Sequence, residues 1–363
     1  IELLSLPSGI ETSKSQTFDD IITRLLHYQV IYIGETHTNY EDHQLQLEII
    51  RALYEDDSRL ASGMEMFTRP NQSVIDRYLS GELDEKSFLK ESHYFKTWRF
   101  DYRLYRDIIN FAKHNNLAII ALNLEKDIVN RVFKAGGPNS LDDEVASLLP
   151  ADRKLDEPGY RRRIKTAFMM HAGQGQNGDF SGFLQAQALW DETMAETIVE
   201  YLETHPGERM VVIAGKGHVD RINAIPPRVA RRLEVSQVVA INSIGSPSDS
   251  KTADFVFFSP PASLSAFPVL GVMLEDTENE EGVLVTALKP QGQAMEAGIR
   301  EKDIILAIDA QPVNDVEDVK IEMLYKEKSA SVMVRTRRRA FLFGDKELDI
   351  EVPLKSAEKT HNM

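Results

Sequence analysis

The chain alternates short, continuously apolar runs with longer amphipathic ones. Val30–Ile33 is apolar at every position, as a strand must be when helices cover both faces of its sheet. Glu41 to Tyr54 instead places Leu45, Ile49 and Leu53 on one stripe, the period of a surface helix. The same alternation returns downstream. Leu60–Phe67, Leu117–Asn123, Arg209–Ala214 and Gln237–Asn242 read as strands, while Asn71–Leu79, Tyr102–Asn115, Lys126–Phe133, Phe183–Glu203 and Arg228–Leu233 read as helices. Strand–helix alternation at this spacing predicts an α/β fold, a mostly parallel central sheet flanked by helices with right-handed crossovers.

From Ile244 to Leu264 the pattern breaks into glycine, proline and serine around Phe255–Phe258, a candidate last strand. Beyond it come short β segments at 271–274, 282–287, 304–308, 330–335 and 347–352, with one helix at 316–325. The expected organisation is a lead-in at 1–17, an α/β domain at 18–245, a linker at 246–264, a small β-rich domain at 265–355 and a polar tail at 356–363.

Composition narrows the functions. No apolar run approaches the ~18 residues of a membrane-spanning helix. Net charge is −15, from 57 acidic and 42 basic residues, a field that repels nucleic acid. Two basic stretches, 160–165 and 335–339, read as solvated faces or as anion contacts. The chain has no cysteine, which excludes disulfides and thiolate metal sites. It begins at Ile1 rather than Met, as a processed or trimmed chain does, and any signal peptide or lipid-bearing N-terminal residue would already be gone.

Ligands in open α/β sheets bind beyond the carboxyl ends of the strands. The first strand ends in Gly34-Glu35-Thr36-His37, the second carries Glu65, the third ends at Asn123 and the fourth at Gly215-Lys216-Gly217-His218. Singly, Glu65 reads as a solvent-facing carboxylate, His37 as a helix cap and His218 as a loop hydrogen-bonder. Together they set two imidazoles, two carboxylates, a lysine and an amide at one edge of the sheet. His43 stands behind that group, on one helix side with Gln46, and His171 borders a glycine-rich loop at 172–178.

These motifs carry a resemblance. Gly34-Glu35-Thr36-His37 and Gly215-Lys216-Gly217-His218 look like the paired Gly-x-x-His signatures of the Tiki superfamily. Gly63–Phe67, Ala186–Ala195 and Gly217–Arg221 are similar to its ChaN-like haem-uptake proteins. The resemblance implies a bacterial envelope location, commonly as a lipoprotein, and haem held through a tyrosine at a dimer interface, with Tyr94, Tyr102, Tyr105 and Tyr160 the candidates. It assigns His37, His218, Lys216 and Asn123 to the cofactor. Other branches of the superfamily imply a metal-dependent hydrolase, with Glu35, His37, Glu65 and His218 catalytic and His37, Glu65 and His218 holding a divalent metal. The β-rich domain resembles a PDZ module, in which Leu270, Gly271 and Val272 receive a peptide's C-terminus and the helix at 316–325 closes the groove. Haem or iron binding, metal-dependent hydrolysis on PDZ-presented substrate, and a scaffold with an inert cleft all remain open at this level.

Overall fold

The computed structural model describes residues 16–135, 137–138, 141–172, 180–243, 249–278, 280–327, 330–339 and 344–356, without the side chains of 167, 170–172, 249–250 and 355–356. The loop at 173–178 and the His171 side chain lie outside the described residues.

The chain divides into two units, Ile1–Asp84 with Phe100–Ser263, and Glu85–Arg99 with Leu264–Met363. Unit one holds six parallel strands: β1 (Val30–Glu35), β2 (Leu60–Thr68), β3 (Ala118–Asn123), β4 (Arg209–Gly215), β5 (Gln237–Asn242) and β6 (Phe255–Phe257), in the order β3-β2-β4-β1-β5-β6. The run at 255–258 is thus the edge strand of the sheet. Every residue of β1 is buried, as its unbroken apolar run requires. Helix Phe180–Thr204 lays Met194, Ile198 and Leu202 on Val30, Tyr32, Met210 and Val212, each such side chain contributing roughly 1.5–3 kcal/mol on burial. Helix Ile225–Arg232 starts three residues earlier than its apolar pattern suggests, because Pro226 sits in its first turn, where a missing N–H costs nothing. The helix read from Tyr102 is split: a 3₁₀ turn, Tyr102–Leu104, opens on Asp101 accepting from the Arg103 amide, and the α-helix runs Arg106–Asn115.

Unit two is built on an antiparallel sheet. Its strands are β7 (Pro268–Val269), β8 (Val272–Asp276), β9 (Val283–Leu288), β10 (Ile304–Ile308), β11 (Gln311–Pro312), β12 (Ser331–Arg338), β13 (Lys346–Pro353) and β14 (Lys355–Ser356). The main sheet runs β13-β12-β10-β9-β8, so among the described residues β8 is an edge with one side unpaired by strand. Helix Val316–Leu324 packs Val319 and Met323 into a core with Val283, Val285, Ile305 and Val334. The sequence pattern puts Glu85–Arg99 in the α/β domain, but its short helices Glu85–Glu91 and Tyr94–Thr97 pack within this unit.

Candidate functional site

Parallel register brings the strand ends level. Glu35 on β1 is the register partner of Gly215 on β4. β2 pairs with β4 only as far as Met64, and its pairing with β3 shifts between Met64 and Thr68. That irregularity turns Glu65 inward. Its Oε2 accepts the Gly215 amide at 2.7 Å, and its Oε1 lies 3.5 Å from His218 Nε2. The His37 ring lies over Gly215, where a Cβ would come 3.0 Å from Cε1 and press the ring aside. Glu35, His37, Glu65 and His218 therefore occupy one cleft.

Two imidazole–carboxylate pairs flank Glu65. His37 Nδ1 is 2.8 Å from Glu35 Oε1, and the His37 ring packs against Phe100 at 4.8 Å. On the opposite side His218 Nδ1 is 2.5 Å from Asp191 Oδ1. Glu35 is wholly buried yet well satisfied. The Tyr105 hydroxyl donates to it at 2.6 Å, Gln46 Nε2 donates at 2.8 Å, and His43 Nδ1 stands 3.3 Å away. Burial opposes its charge, but the hydrogen bonds and charges of His37 and His43 prevail and lower its pKa to about 2. Burial likewise opposes the charge on His218, and Glu65 and Asp191 prevail, raising its pKa to about 9. For His37, burial is again the largest influence, overcome by Glu35 and Glu65, so its pKa is raised.

Behind Asp191 lies the buried Arg228, 3.9 Å from its Oδ2, with its guanidinium 4.5 Å from the Tyr160 ring centre. Arg163 reaches the same carboxylate at 3.9 Å and donates to the Gly217 carbonyl at 2.6 Å. Lys216 donates to the Asn242 carbonyl at 2.5 Å beside Asp42 at 3.6 Å. Asn123 clips two strand ends together, its amide donating to the Glu65 carbonyl at 3.0 Å and its oxygen accepting from Leu124. The basic stretch at 335–339 is drawn into ion pairs, Arg335 with Asp349, Arg338 with Asp303 and Arg339 with Glu280.

Asp191 and the Gln46 contact are not marked in the sequence, and Tyr105 stands there only as a candidate haem ligand, not as a partner of Glu35. Each lies in or beside a helix whose apolar stripe does not say which polar residue turns inward. Asp191 had one signal, its place in the Ala186–Ala195 segment. The four candidate tyrosines, Tyr94, Tyr102, Tyr105 and Tyr160, are each at most 1% exposed. Among the described residues no group of three or more His, Asp or Glu is arranged to hold a metal ion. None of the described helices is long and apolar enough to cross a membrane.

In unit two, Gly271 takes φ +79°, a left-handed turn suited to glycine, directly before edge strand β8. Leu270 is buried in the core and Val272 half-buried against it. Helix Val316–Leu324 lies alongside β8.

The first unit is therefore a parallel α/β domain with a carboxylate–imidazole cleft at its strand ends, and the second a small antiparallel domain with an open strand edge. Residues 21–229 match the family model described as haem-binding uptake, Tiki superfamily, ChaN, and the chain belongs to that family. Residues 268–354 match the PDZ domain model. Similar solved structures include ChaN of Campylobacter jejuni with cofacially bound haem, at 19% identity and TM-score 0.54 over 69% of this chain and 94% of that one. A serine endoprotease from Yersinia pestis is similar at 19% identity and TM-score 0.22, over 26% of this chain and 30% of that one. The HtrA3 PDZ domain is similar at 16% identity and TM-score 0.22, over 25% and 86%. No curated protein matches the sequence.

Proposed function

We propose that the first unit binds haem as cargo at the mouth of the Glu35–Glu65–His218 cleft, and that the second captures the C-terminus of a partner polypeptide. Membership of the haem-binding family over residues 21–229 carries the haem reading. The residues present suit the group. Haem calls for cations near its propionates, flat apolar contact and a basic side chain toward iron. Lys216 and Arg163, with side chains 31% and 25% exposed, supply the cations. His37, 28% exposed and backed by Phe100, supplies the ring contact and the iron-facing nitrogen. The burial of all four candidate tyrosines favours this imidazole over a phenolate. Titration of the purified full chain with haemin tests the reading: a saturable Soret shift at micromolar haemin is expected, and its absence overturns it.

Peptide capture is supported by the open edge of β8 and by the Gly271 turn before it. An extended peptide would add as a further strand, its carboxylate received by the turn at Leu270, Gly271 and Val272. Peptides with free C-termini should bind and their amidated forms should not; equal binding of both removes this part.

An envelope location, a lipid anchor and a haem-bridged homodimer complete the proposal. Cell fractionation tests the first two, and sizing with and without haemin tests the third.

A hydrolase is the second reading, favoured by the line Asp191–His218–Glu65, a carboxylate orienting an imidazole toward a second carboxylate. Among the described residues the side chains do not form a metal-holding set, so this reading rests on the carboxylates and imidazoles alone. Product released from peptide or ester substrates by the wild type but not by Glu65→Gln would carry it; none from either sets it aside.

A further inference from the structure

Glu85–Arg99 lies inside the stretch matched by the haem-binding family, yet it packs with the PDZ unit. Its basic residues meet an acidic face of the helix Val316–Leu324. Lys86 Nζ donates to both carboxylate oxygens of Glu322, at 2.7 and 2.8 Å. Lys90 reaches Asp315 at 2.9 Å and Asp318 at 2.6 Å, and Lys96 reaches Asp315 at 2.8 Å. Asp315 is the N-cap of that helix, so two lysines hold the residue on which the helix starts. The Phe95 amide donates at 3.0 Å to Glu317, whose side chain has no exposed surface. Phe88 and Leu89 are buried beneath the basic rim.

The next residue in the chain, Phe100, belongs to the first unit. It packs on His37, and Tyr105 donates to Glu35. We propose that Glu85–Arg99 is a strap through which movement of the groove helix reaches the residues that hold Glu35 and His37, making the cleft responsive to peptide capture. The lysine ends of these pairs are 36–44% exposed and their carboxylates 11–18%, so the grip is reversible and partly screened by salt. A locally opening segment of this kind, covalently continuous with the groups that position a site, is a physical route for coupling. The inference rests on the reading of cleft and groove as binding centres, but its test needs no ligand, so either can fail without the other.

The test is amide hydrogen exchange on the full chain, comparing wild type with the strap-release variant Lys86→Glu/Lys90→Glu/Lys96→Glu. Exchange in 85–99, in 316–324 and in 100–105 should quicken by about tenfold or more, while β1 and β4 stay protected. In the narrower variant Lys86→Glu, adding Glu322→Lys, which leaves the Asp315 cap in place, should restore protection in all three. Wild type in about 1 M NaCl gives the same release without substitution. If 85–99 loosens in either experiment while 100–105 exchanges as before, the strap transmits nothing and the proposal falls. It falls equally if salt leaves the exchange of 85–99 unchanged.

Discussion

Glu35 and Asp315 are both carboxylates met by several partners, in very different surroundings. Glu35 has no exposed side-chain surface, and its partners come from the strand end, the following helix and the turn before Arg106. Asp315 is 18% exposed, and the lysines that meet it are 36% and 44% exposed. Water already solvates the second set, so each pair adds little. The first set has no such alternative, so each partner is needed to satisfy the others. The cleft is therefore held rigidly by its charges, and the strap only fastened by them.

The largest expected effect comes from breaking the buried set. Glu35→Ala strands the Tyr105 hydroxyl, the Gln46 amide and two imidazoles, and should cost about 3–5 kcal/mol in urea unfolding of the full chain. A loss below about 1 kcal/mol would place the cleft in the same class as the strap.

Titration comes next. The Glu35 carboxyl sits at about 2 against an ordinary 4.5, so its stabilisation is complete above 4.5 and drains away as pH falls toward 2. His218 sits at about 9 against 6.5, so its stabilisation is complete below 6.5 and is lost as pH rises toward 9. Stability should therefore peak between these ordinary values and fall on each flank by an amount on the order of 3 kcal/mol. A flat profile from pH 2 to 9 would deny the coupling of the two imidazole–carboxylate pairs.

Asp191→Asn keeps the shape of the side chain but removes the counter-charge of His218 and Arg228, and should cost about 1–3 kcal/mol. It should also move the His218 titration downward, which NMR of the imidazole would follow. Lys96→Ala should be the mildest, about 0.2–1 kcal/mol and vanishing in high salt.

The same contrast explains what could be read in the sequence. Strands β1 to β5 were legible because a buried parallel strand must be apolar throughout, and Glu35, His37, Glu65 and His218 were legible because each interrupts or follows such a run. Asp191 was not: the helix Phe180–Thr204 buries residues on several faces, so periodicity did not mark one polar side chain among them. Tyr105 was named as a candidate haem ligand, but its engagement of Glu35 depends on a 3₁₀ turn invisible to a 3.6-residue period. The strap was unreadable for another reason. Its partners lie more than 200 residues away in the chain, and its helices of seven and four residues are too short to show a stripe.

The central claim is that haem is met by an imidazole of the cleft while the buried tyrosines serve only as scaffold. Parallel haemin titrations of wild type, His37→Ala and Tyr105→Phe test it most directly. The account predicts a Soret shift in wild type and in Tyr105→Phe, with its loss or marked weakening in His37→Ala; retention in His37→Ala together with loss in Tyr105→Phe would contradict it.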